Sequence, residues 1–293
     1  MSVAIDAQCY LCHLKRHIET ARKLGDEETA AAFARAMMQL YVDAPPETTS
    51  PEMVPHITAL YQKFYGLPED RYKEEKEEAN AFVMARLERI QDHVRKAADP
   101  LYAALQCSIL GNYLDFSALQ GEVSFDKMEE MLAFSDAMEL DAETYAQLKT
   151  DLERGKRLLY LTDNAGEIGF DRIFAEEIHR AYPHLEITVC VRGGFAQNDA
   201  TRADAQAVGM PFPVIDNGNN IPGTVLRLLS PESKAALEGA DVIISKGQAN
   251  VETLLGCGYN IYYAFLVKCI KFQELFQKPK LTAMLVREKK PQR

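Results

Sequence analysis

Asp163, Asn164, Arg192, Asp199 and Lys246 are residue types that bind hard cations and phosphate, and most of them fall where short apolar runs end. Asp163-Asn164 closes RLLYLT, Arg192-Gly193-Gly194 closes EITVCV, Asp216-Asn217-Gly218 closes PFPVI, and Lys246-Gly247 closes DVIIS. Asp163 and Asn164 offer a carboxylate and an amide oxygen, and Asp199 in GGFAQNDAT can supply a second carboxylate. Hard oxygen donors of this kind suit Mg2+ or Mn2+, which keep several waters and take phosphate oxygens as further ligands. No His adjoins them, which argues against a dedicated zinc site. Arg192 can hold a phosphate by a bidentate fork and Lys246 as a point charge, with the adjoining glycines letting backbone approach a ligand. The same residues also have plainer uses. Asp163-Asn164 can make a turn and an N-cap for a helix starting near Glu167, Asp199 can cap a helix through Ala205, and the glycines can simply turn the chain.

These residues need a scaffold that brings them to one edge. After Gly155, RLLYLTD, EITVCVRG, PFPVID, DVIISKG and NIYYAFLVK alternate with helical or loop segments. That alternation is the signature of βαβ units and a parallel sheet covered on both faces. In such sheets ligands bind beyond the carboxyl ends of the strands. Before that point the periodicity is helical, with Leu24, Phe33, Met37, Leu40 and Tyr41 recurring at helical spacing. A long helix is expected over Glu69 to Ala98, its charged first half a solvated face, with further helices over Tyr102–Leu110, Phe125–Phe134 and Ala142–Glu153. The expected architecture is α/β. A helical N-terminal or cap region over 1–154 precedes a Rossmann-like domain over 155–293, whose mainly parallel sheet has helices on both faces.

Composition narrows the partners. At 293 residues and 47% hydrophobic, the chain can bury a substantial core. A net charge of −10 argues against nucleic acid, whose backbone is bound by clustered Lys and Arg. It leaves room for a small anion in a locally positive cleft. No run approaches the length of a membrane span, and MSVAIDAQCYLC lacks a basic segment before an apolar core, so neither a membrane anchor nor a secretory signal is expected. Six Cys, of which only Cys9 and Cys12 are close together, suit a reducing cytoplasm. Cys9-x-x-Cys12 followed by His13 can be a second metal site, a redox pair or two helical cysteines in packing. Asn112 and Asp115 can put polar groups at the mouth of the cleft from the cap side, or belong to a helix C-cap and an Asx turn. No oligomeric state is specified.

Several separated motifs then carry a resemblance: CYLCHLKR near the start, GNYLDF at 111–116, LTDNAGEIGFDR at 161–172, VRGGFAQNDAT at 191–201, ISKGQANVETL at 244–254, and the apolar stretch ending VKC at 267–269. In this order, over nearly the whole chain, the sequence resembles the domain-of-unknown-function-89, or ARMT1-like, damage-control phosphatases, in their prokaryotic branch with an N-terminal CxxC. The resemblance implies a metal-dependent phosphatase in which Asp163, Asn164 and Asp199 hold one divalent ion (Mn, Mg, Co or Ni). It also implies that Lys246 contacts phosphate and, with Asp163, serves catalysis by metal-activated water. Glu167 and Arg192 belong to the same motifs as substrate-side residues. The implied substrates are small phosphometabolites, such as damaged sugar phosphates or phosphorylated cofactor precursors. Ala249 and Val251 depart from the family's usual Gly and Phe, which bears on the shape of that loop. Two alternatives remain. One is an S-adenosylmethionine-dependent carboxyl methyltransferase; against it, the first strand ends in DNAGE rather than a glycine-rich turn, and the second in Arg192 rather than an acid. The other is a non-catalytic metal- or metabolite-binding protein.

Overall fold

Carboxylates start many of the helices in the first half of the chain. Asp6, Asp26, Asp99 and Asp141 each accept a hydrogen bond from the backbone N–H three residues on, satisfying one of the orphan donors of a first helical turn. A computed structural model describes residues 3–112 and 127–288 of the chain. Its helices before the sheet are α1 (Ala7–Leu24), α2 (Glu27–Asp43), α3 (Ser50–Tyr65), α4 (Lys73–Met84), α5 (Leu87–Lys96), α6 (Pro100–Gly111), α7 (Lys127–Asp136) and α8 (Ala142–Arg154).

The single helix expected over Glu69–Ala98 is two, α4 and α5. At the break Arg86 leaves helical geometry (φ −120, ψ 6), and its guanidinium bonds the carbonyl of Phe82. The break lets each piece bury its own stripe: Ala79, Phe82 and Val83 on α4, Ile90 and Val94 on α5.

The second half alternates as expected: β1 (Arg157–Leu161), α9 (Glu167–Ala181), β2 (Glu186–Val191), α10 (Arg202–Ala207), β3 (Val214–Asp216), α11 (Pro231–Gly239), β4 (Val242–Lys246), α12 (Gln248–Leu254), β5 (Ile261–Leu266), α13 (Ile270–Phe276) and β6 (Ala283–Arg287). The sheet has six strands in the order β3-β2-β1-β4-β5-β6, parallel except for the last pair. β3 is shorter than the expected PFPVID because prolines cannot donate to a ladder; Pro213 still accepts from Val189 N at 2.9 Å. The antiparallel edge strand β6 was not among the expected runs.

Alternation along the strands sorts two cores. Leu158, Tyr160, Val189, Ile244 and Tyr262 pack on one face with residues of α4–α9, such as Val83, Leu105 and Phe174. Leu159, Leu161, Ile243, Tyr263 and Phe265 pack on the other with Leu237, Val251, Leu254 and Phe272 of α11–α13. Helices α1–α3 hold a separate cluster around Phe33, Met37 and Tyr61. No helix among the described residues is long and apolar enough to cross a membrane.

Candidate active site

Strand order decides where the polar ends meet. β1 is flanked by β2 on one side and β4 on the other, so the crossovers diverge at β1 and leave a crevice at its carboxyl end. Register aligns the ends, with Leu161 opposite Cys190 on β2 and Ser245 on β4. Asp163-Asn164, Arg192 and Lys246 therefore emerge side by side.

The Asp199 loop folds back onto the same point. Asn164 and Asp199 face each other in an isolated antiparallel bridge, supported by Ala165 N donating to Asn198 O (2.9 Å) and Ala200 N to Asp163 O (2.7 Å). On its far side this segment bridges to β2 through Arg192 N and Ala200 O at 2.9 Å. Neither capping role foreseen for these residues is the one observed. The cap of α9 is Gly166, and the cap of α10 is Thr201, in a capping box with Asp204. Asp163, Asn164 and Asp199 are thus brought together without serving as helix caps.

Their side chains are buried and hydrogen-bonded. Asp163 Oδ2 accepts from Asn112 Nδ2 and Asn164 Nδ2, both at 2.8 Å. The same two amides donate to Glu167 Oε2 at 2.8 and 3.0 Å. The N–H side of Asn164 is thereby committed to the carboxylates, which turns its oxygen away from them. Arg192, buried beneath, donates Nε to Asp199 Oδ2 at 2.6 Å and Nη2 to Thr162 O at 3.1 Å, with Nη2 4.0 Å from Asp163 Oδ1. Asn112 Oδ1 and Arg192 Nη1 are buried atoms with no hydrogen-bond partner among the described residues.

Lys246 is fully buried, and its ammonium donates to Ser108 O (2.7 Å), Glu167 Oε1 (2.8 Å) and Asp171 Oδ1 (2.8 Å), so all three N–H groups are spent on the protein. Glu167, equally buried, divides its oxygens between Lys246 and the two amides. Asp115 lies outside the described residues. Cys9 and Cys12 are free thiols at the start of α1. Cys9 Sγ lies 3.7 Å from Lys271 Nζ, Cys12 is exposed, and His13 Nδ1 pairs with Tyr41 OH at 2.6 Å.

Burial drives the Asp163 carboxyl well above the usual range; the Glu167 and Asp199 charges add to this, while Lys268 and Arg192 pull against it. Burial would lower the Lys246 ammonium, but the Asp171 and Glu167 carboxylates outweigh it and hold it above its ordinary value. Asp171 is pushed up by burial and pulled back by Lys246, and ends at about 7. Hydrogen-bonded to Tyr160 OH at 2.8 Å, it completes a buried chain from Tyr160 through Lys246 to Glu167.

Asp171, Tyr160, Asn250 and Lys268 escaped sequence reasoning. Glu167 and Asp171 stand four residues apart on a helix face otherwise filled by Ile168, Phe170 and Phe174, and two carboxylates on a buried helical face were a readable signal. Lys268 follows β5 as Lys246 ends β4, so the strand-end rule also reached it. Asn250 Nδ2 ties Thr162 O (3.0 Å) to Lys246 O (2.7 Å), holding the ends of β1 and β4 together.

The donor set fits a divalent cation. Two buried carboxylates and an amide-bearing residue meet across one backbone bridge, and a cation beside Asp163 would offset the burial and carboxylate charges that raise it. No group of three His, Cys, Asp or Glu side chains converges as a ready-made cage among the described residues. An ion held here would rely on Asn164 and on solvent or substrate oxygens, as Mg2+ and Mn2+ commonly do.

Comparisons with known proteins point to one family. The profile of the damage-control phosphatase ARMT1-like domain matches residues 5–283. An uncharacterized protein of Methanocaldococcus jannaschii is 30% identical over 281 residues, covering 92% of this chain and 90% of that protein. A damage-control phosphatase of Pyrococcus horikoshii is 34% identical over 190 residues, 64% of each chain. One of Archaeoglobus fulgidus is 33% identical over 202 residues, 67% of this chain and 69% of that one. The crystal structure of a DUF89 family protein from Pyrococcus horikoshii superposes with a TM-score of 0.83 at 26% identity, covering 98% of this chain and 99% of that chain. Relatives so named carry a phosphatase-type function in this family, and the chain belongs to the damage-control phosphatase ARMT1-like domain family.

Proposed function

We propose that this protein is a metal-dependent phosphatase acting on small phosphometabolites, of the sugar-phosphate or phosphorylated cofactor-precursor class. The observation that carries the reading is the meeting of Asp163-Asn164 with Asp199 across one backbone bridge at the carboxyl end of β1, over the buried Arg192. Asp163, Asn164 and Asp199 are the residues that would hold the ion, with Mn, Mg, Co and Ni as the candidates. When bound, a divalent cation would polarise a phosphoryl oxygen and lower the pKa of water, so that loss of a proton supplies a hydroxide nucleophile near neutral pH.

The chain's own residues prepare that step. Asn112 and Asn164 hold Asp163 from one side, so the carboxylate meets substrate already oriented. Arg192 fixes Asp199 by its Nε and carries a buried, unshared Nη1 donor suited to a phosphoryl oxygen. Lys246 supports the site from beneath: its N–H groups hold Glu167 against the two amides. Lys268, close enough to pull on Asp163, adds positive potential from the end of β5.

Purified protein stripped with chelator and assayed for phosphate release from sugar phosphates and pantetheine phosphates, with each of the four metals restored in turn, tests the reading. Turnover that needs metal and vanishes in Asp163→Ala supports it. Full metal-dependent turnover in Asp163→Ala would falsify it.

A further inference from the structure

The helical half reaches the proposed ligands through one buried polar network on α4. Asn80 Oδ1 accepts from Gly166 N at 2.7 Å, and Asn80 Nδ2 donates to Asp204 Oδ1 at 2.8 Å. The other oxygen of Asp204 takes Lys76 Nζ at 2.7 Å and the Thr201 N and Oγ1 at 2.8 and 2.7 Å. Lys76, Asn80 and Asp204 are 6%, 4% and 5% exposed, so solvent does little to weaken these bonds.

The network touches both ligand-bearing loops. Gly166 closes the turn that begins at Asp163-Asn164, and Thr201 and Asp204 start the helix that follows Asp199. Near the ligands these loops are joined by the Asn164–Asp199 bridge; Asn80 pins them again on the α4 side. α4 is seated closely there. Gly166 has φ +76, and a β-carbon on it would come within 2.9 Å of Ala79 Cβ. Position 80 also calls for an amide. Asp would offer Gly166 an acceptor but no donor to Asp204, and an apolar residue would strand both partners in a buried place.

We infer that Asn80, with Asp204 and Lys76, is a clamp that sets the spacing between the Asp163-Asn164 loop and the Asp199 loop, making Asn80 a positioning residue for the metal site. The inference rests on the function proposed above. It adds that a helix outside the α/β alternation controls ion affinity.

The test is Mn2+ binding to the full chain, read by the electron paramagnetic resonance of free ion, beside kcat and KM for phosphate release and thermal unfolding. Asn80→Ala and Asn80→Asp are expected to weaken Mn2+ binding about ten- to a hundredfold, with activity partly recovered in excess Mn2+. The reciprocal exchange, Asn80→Asp with Asp204→Asn, keeps one amide, one carboxylate and the charge Lys76 needs, and is expected to return Mn2+ binding to within a few-fold of the parent. Tyr262→Phe deletes a hydrogen bond to Asp151 far from the loops and serves as the stability control, with Mn2+ binding unchanged. Asn80→Ala and Asn80→Asp binding Mn2+ as tightly as the parent overturns the clamp and leaves the proposed function standing. A parent chain that binds no Mn2+, and releases no phosphate with any of the four metals, overturns the proposed function and the clamp with it.

Discussion

The α-carbon of Gly247 sits against the carboxylate of Asp163, so close that a β-carbon on Gly247 would overlap Oδ2 and Cγ of the acid. Gly247 also has φ +78, where side chains strain the backbone. The turn after β4 thus forms one wall of the place where Asp163 must stand.

Gly247→Ala is therefore expected to displace Asp163 and lower kcat/KM for phosphate release on the order of a hundredfold, as small misplacements of a reacting group do. Gly66→Ala separates strain from displacement. It shares the left-handed backbone (φ +64) but has nothing within 4 Å of the new carbon. It should cost about 1 kcal/mol of stability and leave activity alone. Equal activity losses in the two variants would remove the argument.

Lys246 carries a second prediction. It was expected to contact phosphate, and its three N–H groups are found on Ser108, Glu167 and Asp171 in a fully buried place. Removing the ammonium leaves two buried carboxylates without their cation, which typically costs about 3–5 kcal/mol. Lys246→Met should lower the urea midpoint accordingly, and adding Asp171→Asn should recover part of the loss. A Lys246→Met protein as stable as the parent would mean the lysine serves only substrate.

Strands and strand ends were readable because β4 and β5 bury both faces and so appear as near-continuous apolar runs, VIISK and IYYAFL. Site residues sit just past those runs, where the general rule for parallel sheets puts them. The edge strand AMLVR was not readable, because it is only partly buried and antiparallel. The break at Arg86 was hidden within continuous helical composition, since it depends on which face each half must bury. Asn80 was out of reach for another reason: its partners, Gly166 and Asp204, lie 86 and 124 residues away. Only the packing of α4 brings them together.

Charge at Asp163 predicts a trade between stability and function. Burial and the neighbouring carboxylates raise its folded pKa above the ordinary 3.8, so the ionised form opposes folding at neutral pH when no cation is present. This cost is absent well below pH 3.8, where the acid is protonated in both states, and grows as pH rises toward the folded value. In chelator at neutral pH, Asp163→Asn should melt a few degrees above the parent. With Mn2+ the order should reverse, since ion at a hundred times its dissociation constant stabilises the parent by about 2.7 kcal/mol. A parent Tm indifferent to Mn2+ would contradict this.

Two imidazoles in the first three helices make stability fall in acid. Burial first, and Arg16 second, hold the imidazoles of His13 and His17 down at about 4 and about 3, against an ordinary 6.5. His17 Nδ1 pairs with Tyr61 OH at 2.9 Å within the Phe33–Met37–Tyr61 cluster, where a charged ring would be poorly solvated. On unfolding below pH 6.5 both rings take up protons that the folded protein refuses. Stability is therefore lost as pH falls, from about 6.5 down to about 4 for His13 and on to about 3 for His17. His17→Gln keeps a neutral hydrogen-bonding partner for Tyr61 and removes one titration. Urea unfolding across this range should show the variant losing less stability than the parent as acid is added, the gap between them changing steadily with pH. A gap constant with pH would show that His17 does not carry the acid sensitivity.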